Sequence, residues 1–75
     1  MSWDYRVYKH TFKTKSGHEY SYYGVHEAYY ENGSIPVRRS HECVKAEADS
    51  LEDLKWTLES MLKALEKPVL EYKDD

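Results

Sequence analysis

The side chains of this chain that could do chemistry are four histidines, His10, His18, His26 and His41, and a single cysteine, Cys43. A histidine beside a carboxylate suggests a base with an orienting partner, and His26-Glu27 and His41-Glu42 both offer that pairing. On a strand, however, adjacent side chains leave opposite faces, so neither pair meets directly. His41 and Cys43, two residues apart, would share a face and present two soft ligands. Zinc generally takes at least three protein ligands, and no CxxC or HxxxH spacing supplies the others. A nucleophilic Cys43 would need a lowered pKa and a histidine turned onto it; a buried, inert thiol is expected instead. There is no glycine-rich phosphate loop and no serine-centred elbow. The reading is of no catalytic residue, no metal site and no cofactor. No small-molecule pocket is expected either, because two layers of this size do not easily hold a cleft of about 300 Å³.

The residues that suggest recognition are aromatic and basic. Trp56, placed at 100° per residue, points away from the leucines of its own helix, so either the C-terminal segment around Tyr72 covers it or it anchors an interface. Seven of the eight tyrosines, Phe12 and Trp3 crowd the N-terminal two-thirds, and one helix can close only one face of a sheet. The face of the first strand carrying Tyr8, His10 and Phe12 is therefore expected to meet solvent or a partner. Arg38-Arg39 is a compact basic pair that blunts an edge strand or meets an acidic partner.

Those residues must be positioned by a small set of elements. Residues 3–12 alternate with period two, Trp3, Tyr5 and Val7 against Asp4, Arg6, Tyr8, His10 and Phe12, which marks a strand. Lys13 to Gly17 is turn material, and the tyrosine-dense stretch 19–30 makes a second strand. Asn32-Gly33 turns the chain back into a third strand over 35–46. The apolar parity changes between Val37 and Val44, which requires a bulge or break between Arg39 and Cys43. Ser50-Leu51-Glu52-Asp53 opens a helix over about 51–66 with a serine cap and acidic first turn. Leu51, Leu54, Leu58, Met61, Leu62 and Leu65 form its apolar stripe, expected to face the sheet, and Pro68 ends it. Residues 68–75 are a tail, with Val69 to Tyr72 read as a short last strand or a cover over the core, and Lys73-Asp74-Asp75 fraying. The fold class is α+β: a three-stranded antiparallel meander packed on one C-terminal amphipathic helix.

At 75 residues the chain is one domain, of a size that buries only about 60% of the surface its unfolded form exposes. One cysteine allows no internal disulfide, so a reducing compartment is expected. No signal-like or membrane-spanning apolar run occurs, and the reading is cytoplasmic. Residues 1–46 hold 7 Lys/Arg against 5 Asp/Glu, whereas residues 47–75 hold 4 against 9. A weakly basic sheet joined to an acidic helix lacks the basic footprint that phosphate binding relies on, which disfavours nucleic acid.

The segments Trp3-Asp4-Tyr5-Arg6-Val7, Tyr23-Gly24-Val25-His26-Glu27-Ala28-Tyr29-Tyr30, Ser50 to Leu54 and Leu65 to Leu70 resemble a group of short, uncharacterised bacterial proteins of this length. That resemblance implies a bacterial, cytosolic protein and brings no activity or site with it. A weaker, architectural similarity is to the HicB-type antitoxin domain, in which strands precede a Ser/Thr-capped, acidic-opening helix. There it implies a toxin partner and often a DNA-binding segment, which is not seen after the helix here. The expected function is a small non-catalytic module that binds a protein partner or itself as a homodimer through Trp56, Tyr8, Phe12, Arg38 and Arg39; the alternatives are an antitoxin-type or nucleic-acid-binding regulator and a metal or thiol enzyme.

Overall fold

The computed structural model describes residues 1–73; Asp74 and Asp75, expected in a fraying end, lie outside the described residues. The period-two segments form one long hairpin, β1 (Ser2–Lys13) and β2 (Glu19–Tyr30), paired antiparallel in unbroken register from Ser2 opposite Tyr30 to Lys13 opposite Glu19. The Thr14 amide donates to the His18 carbonyl across the turn, and Gly17 sits at φ +86°, a left-handed conformation that glycine adopts without a Cβ clash. Directly opposed residues share a face, so Trp3, Tyr5 and Val7 lie with Val25, Glu27 and Tyr29. Arg6, Tyr8, His10 and Phe12 lie on the other face with Tyr20, Tyr22, Gly24, His26, Ala28 and Tyr30.

The third strand is much shorter than its sequence signal. Only β3 (Arg38–Arg39) pairs regularly, opposite Tyr29 and Ala28. Beyond it the Ser40 amide donates to the Glu27 carbonyl and the Val44 amide to the Val25 carbonyl. Over that interval β2 advances two residues while the third segment advances four. His41 and Glu42 are the looped-out excess, and this is the break that the parity change demands.

α1 (Leu51–Lys63) begins where the capping pattern places it, with Ser50 Oγ accepting from the Asp53 amide at 3.1 Å. A 3-10 turn, Ala64–Glu66, finishes it, and Lys67 is extended ahead of Pro68. Ser50→Ala is expected to cost about 1 kcal/mol, read as a lower urea midpoint with Ser50→Asp close to the parent protein. The tail then forms β4 (Leu70–Glu71), which pairs in parallel with β1, Tyr8 beside Leu70 and Lys9 beside Glu71. The sheet is therefore mixed and four-stranded, in the order β3-β2-β1-β4, and not a three-stranded meander.

The helix also departs from expectation in its roll. Thr57 and Ala64 are its buried residues, with Leu54, Ser60 and Met61 half-covered. At 100° per residue this docking face lies about 90° from the centre of the leucine stripe. Leu51, Leu62 and Leu65 are accordingly 85%, 65% and 67% exposed, with Leu58 also open. The small side chains let the backbone approach β1, which the bulky stripe would prevent. The core sits elsewhere: Tyr8, Ala28 and Tyr30 are buried beneath Leu70 and Tyr72 of the tail.

Arg6 is buried beside this core, donating to Tyr30 Oη at 3.0 Å and to the Pro68 carbonyl at 2.9 Å, while its Nε has no partner. Tyr30 Oη donates onward to Asp4 at 2.7 Å, and Lys67 pairs with the same carboxylate. Among the described residues, no helix is long and apolar enough to cross a membrane.

Candidate functional site

The residues with chemical potential converge on the Arg6–Phe12 face, under the tail. His26 is fully buried and held by its neighbours on both ring nitrogens. Its Nδ1 lies 3.0 Å from the Ser40 carbonyl, an oxygen that only accepts, so Nδ1 carries the proton and Nε2 presents a lone pair. Burial pushes the His26 pKa below the usual imidazole value, with the bond to Ser40 opposing and His10, Arg39 and His41 adding to the depression. The ring is therefore neutral at pH 7.

His26 Nε2 faces His10 Nε2 at 2.8 Å and Cys43 Sγ at 3.5 Å. His10 lies on β1 opposite Tyr22, two positions beyond the Tyr8–Gly24 pair, and His26 lies two positions after Gly24 on β2, opposite Arg6. Both imidazoles therefore rise from one face on either side of a residue without a side chain. The loop at His41 and Glu42 brings Cys43 down into that gap. A Cβ at Gly24 would overlap Cys43 Sγ and lie 3.7 Å from His10 Nε2. Glycine at this position is a steric requirement of the convergence.

Aromatic rings wall the cluster. His10 is sandwiched by Tyr22, centroids 4.6 Å apart, and Tyr72, 4.0 Å apart. Tyr8 meets His26 edge-on at 5.1 Å. Arg39 lies 3.7 Å over the Tyr72 ring and donates to the Lys73 carbonyl, and Tyr72 Oη donates to the His41 carbonyl at 3.1 Å. The result is an open groove of about 450 Å³ with Cys43 at its mouth, where no small-molecule pocket was expected. Cys43 is exposed rather than buried, and its companions are His10 and His26 rather than His41 alone.

No family model, curated protein or solved structure matches the chain.

The residues singled out for recognition are scattered. Tyr8, expected on an open face, is 5% exposed and belongs to the core, because β4 and Tyr72 cover the face that the helix leaves free. Arg39 is half-buried over Tyr72, while Arg38 is exposed on the opposite side of β3. Phe12 stacks on Tyr20 at 5.6 Å near the end of the hairpin, where both rings remain half-open. Trp56 is 59% exposed and lines a groove with Trp3 and Tyr5, out of reach of the Tyr72 that was expected to cover it. The two His-Glu pairs stay apart: Glu27 accepts from Tyr29 Oη instead of from His26.

Proposed function

We propose that this chain is a small non-catalytic protein-interaction module that pairs with a second copy of itself through the leucine stripe of α1. The observation that carries this reading is area. A folded monomer of 9.0 kDa has about 4,900 Å² of accessible surface by size scaling, whereas this protomer exposes 6227 Å². The excess exceeds the roughly 800 Å² that each partner buries in a standard interface. Its apolar part includes Leu51, Leu58, Leu62 and Leu65 along the helix and, at the end of the hairpin, Phe12 and Tyr20 on one face and Tyr23 on the other.

Charge favours a second copy as the occupant. Hairpin residues 9–23 hold three lysines and one acid, while residues 51–66 hold four acids and two lysines. A twofold arrangement that lays the helix of one protomer on the hairpin arm of the other satisfies both surfaces at once and closes without leaving either open. Sedimentation equilibrium is expected to show a dimer that weakens with salt. The pair Leu58→Lys and Leu62→Lys should raise the dissociation constant about 100-fold or more, given about 1.5–3 kcal/mol per buried leucine. A parent protein that sediments as a monomer at every accessible concentration would sink the reading.

A further inference from the structure

We infer that His10, His26 and Cys43 form a binding site for a divalent transition ion of the zinc class, with one coordination position left open to the groove. The three donor atoms lie within 4.8 Å of one another and come from three separate segments, β1, β2 and the bulged third segment. A tetrahedral ion with Zn–N of about 2.0–2.1 Å and Zn–S of about 2.3 Å holds its ligand nitrogens about 3.3 Å apart and nitrogen from sulfur about 3.6 Å. The Cys43–His26 separation of 3.5 Å already matches, the two imidazole nitrogens, at 2.8 Å, need to part by about half an ångström, and His10 and Cys43, the widest pair, within 4.8 Å, need to close by about 1 Å, a movement open to the exposed thiol.

Three further observations point to an ion rather than to packing alone. The Ser40 carbonyl fixes the His26 tautomer with the Nε2 lone pair turned to the cluster, where it meets His10 Nε2 at 2.8 Å, the backbone support commonly given to a metal-binding imidazole. Gly24 supplies the only side-chain-free position under Cys43 Sγ, so the thiol is admitted to the two imidazoles by the local sequence. Two imidazoles and one thiol suit zinc-class ions and exclude hard, oxygen-seeking calcium or magnesium. Because Cys43 is exposed at the mouth of the groove, the fourth position faces water, as in zinc centres that exchange a ligand. The site is on the sheet face opposite the Trp3–Tyr5 groove against which the helix lies, and its groove shares Phe12 with the hairpin end proposed for self-pairing; because all three ligands come from one protomer, the assignment does not rest on that pairing.

The test is titration of the full-length, metal-stripped and reduced protein with Co²⁺, followed by displacement with Zn²⁺. The expected result is a thiolate-to-cobalt charge-transfer band with strong four-coordinate visible bands, saturating at one ion per chain and abolished by zinc. Cys43→Ser, at an exposed position that leaves the fold intact by circular dichroism, should remove the charge-transfer band and weaken zinc binding about 100-fold or more, beyond the 10–100-fold typical of a lost supporting contact. Gly24→Ala, which alters no ligand, should weaken binding by displacing the sulfur. His18→Asn, at the far turn, should leave both bands and affinity unchanged. Absence of cobalt binding, binding without a sulfur band, or an undiminished affinity in Cys43→Ser would each overturn the assignment.

Discussion

His26→Ala is expected to lower the folding free energy of the metal-free protein by about 3 kcal/mol, measured by urea denaturation with a chelator present. The imidazole is wholly enclosed, so its removal opens a cavity among Tyr8, His10 and Tyr72. It also strips the Ser40 carbonyl of its donor. For a chain of 75 residues the whole stability is about 4–11 kcal/mol, so this one change removes a quarter or more of it. His18→Ala, on an exposed turn, should stay within about 0.5 kcal/mol of the parent. Equal stability of the two variants would mean that the ring is not packed as described.

The second large effect concerns Arg6 and is asymmetric. Asp4→Ala is expected to cost about 2 kcal/mol, because the buried guanidinium then loses the carboxylate that reaches it through Tyr30. The figure lies below the usual 3–5 kcal/mol for breaking a buried pair, since the Asp4 side chain is 30% exposed and water screens part of the loss. Arg6→Met should be neutral or mildly stabilising, as it removes the buried charge and its unpartnered Nε while keeping the volume, and Asp4 retains Lys67. Chemical denaturation of the two variants side by side checks both signs. A costly Arg6→Met would show that the guanidinium contributes more through the Pro68 carbonyl than its burial takes away.

The parts of this structure legible in the sequence are those fixed by local rules. The two long strands follow from period-two alternation and the turn at Gly17, and the helix start follows from the Ser50 cap. The parity change between Val37 and Val44 correctly demands a break, and its location at His41 and Glu42 follows from hydrogen-bond spacing along β2. The roll of the helix was not legible, because an apolar stripe says which face avoids water but not which molecule covers it. Here small residues, Thr57 and Ala64, touch the protomer's own sheet and the leucines are left outward.

The histidine and cysteine cluster escaped for a different reason. Linear spacing compares neighbours, whereas His10, His26 and Cys43 meet through hairpin register and a bulge. One signal was available: counting back from the turn places His10 and His26 on one face with Gly24 between them. The parallel β4 had no comparable signal, since two paired residues carry no periodicity and the bond from the Tyr72 amide to the Lys9 carbonyl is a purely long-range fact.

That late-sequence strand has a kinetic corollary. Arg6 cannot find the Pro68 carbonyl, 62 residues away, nor can Tyr72 lie against His10, until nearly all the intervening polypeptide has been synthesised and looped round. On the ribosome the hairpin must therefore wait with its imidazoles open to the surrounding medium. Refolding from denaturant should then be paced by closure of that last distant contact, at rates nearer those of β-rich topologies than of helical bundles.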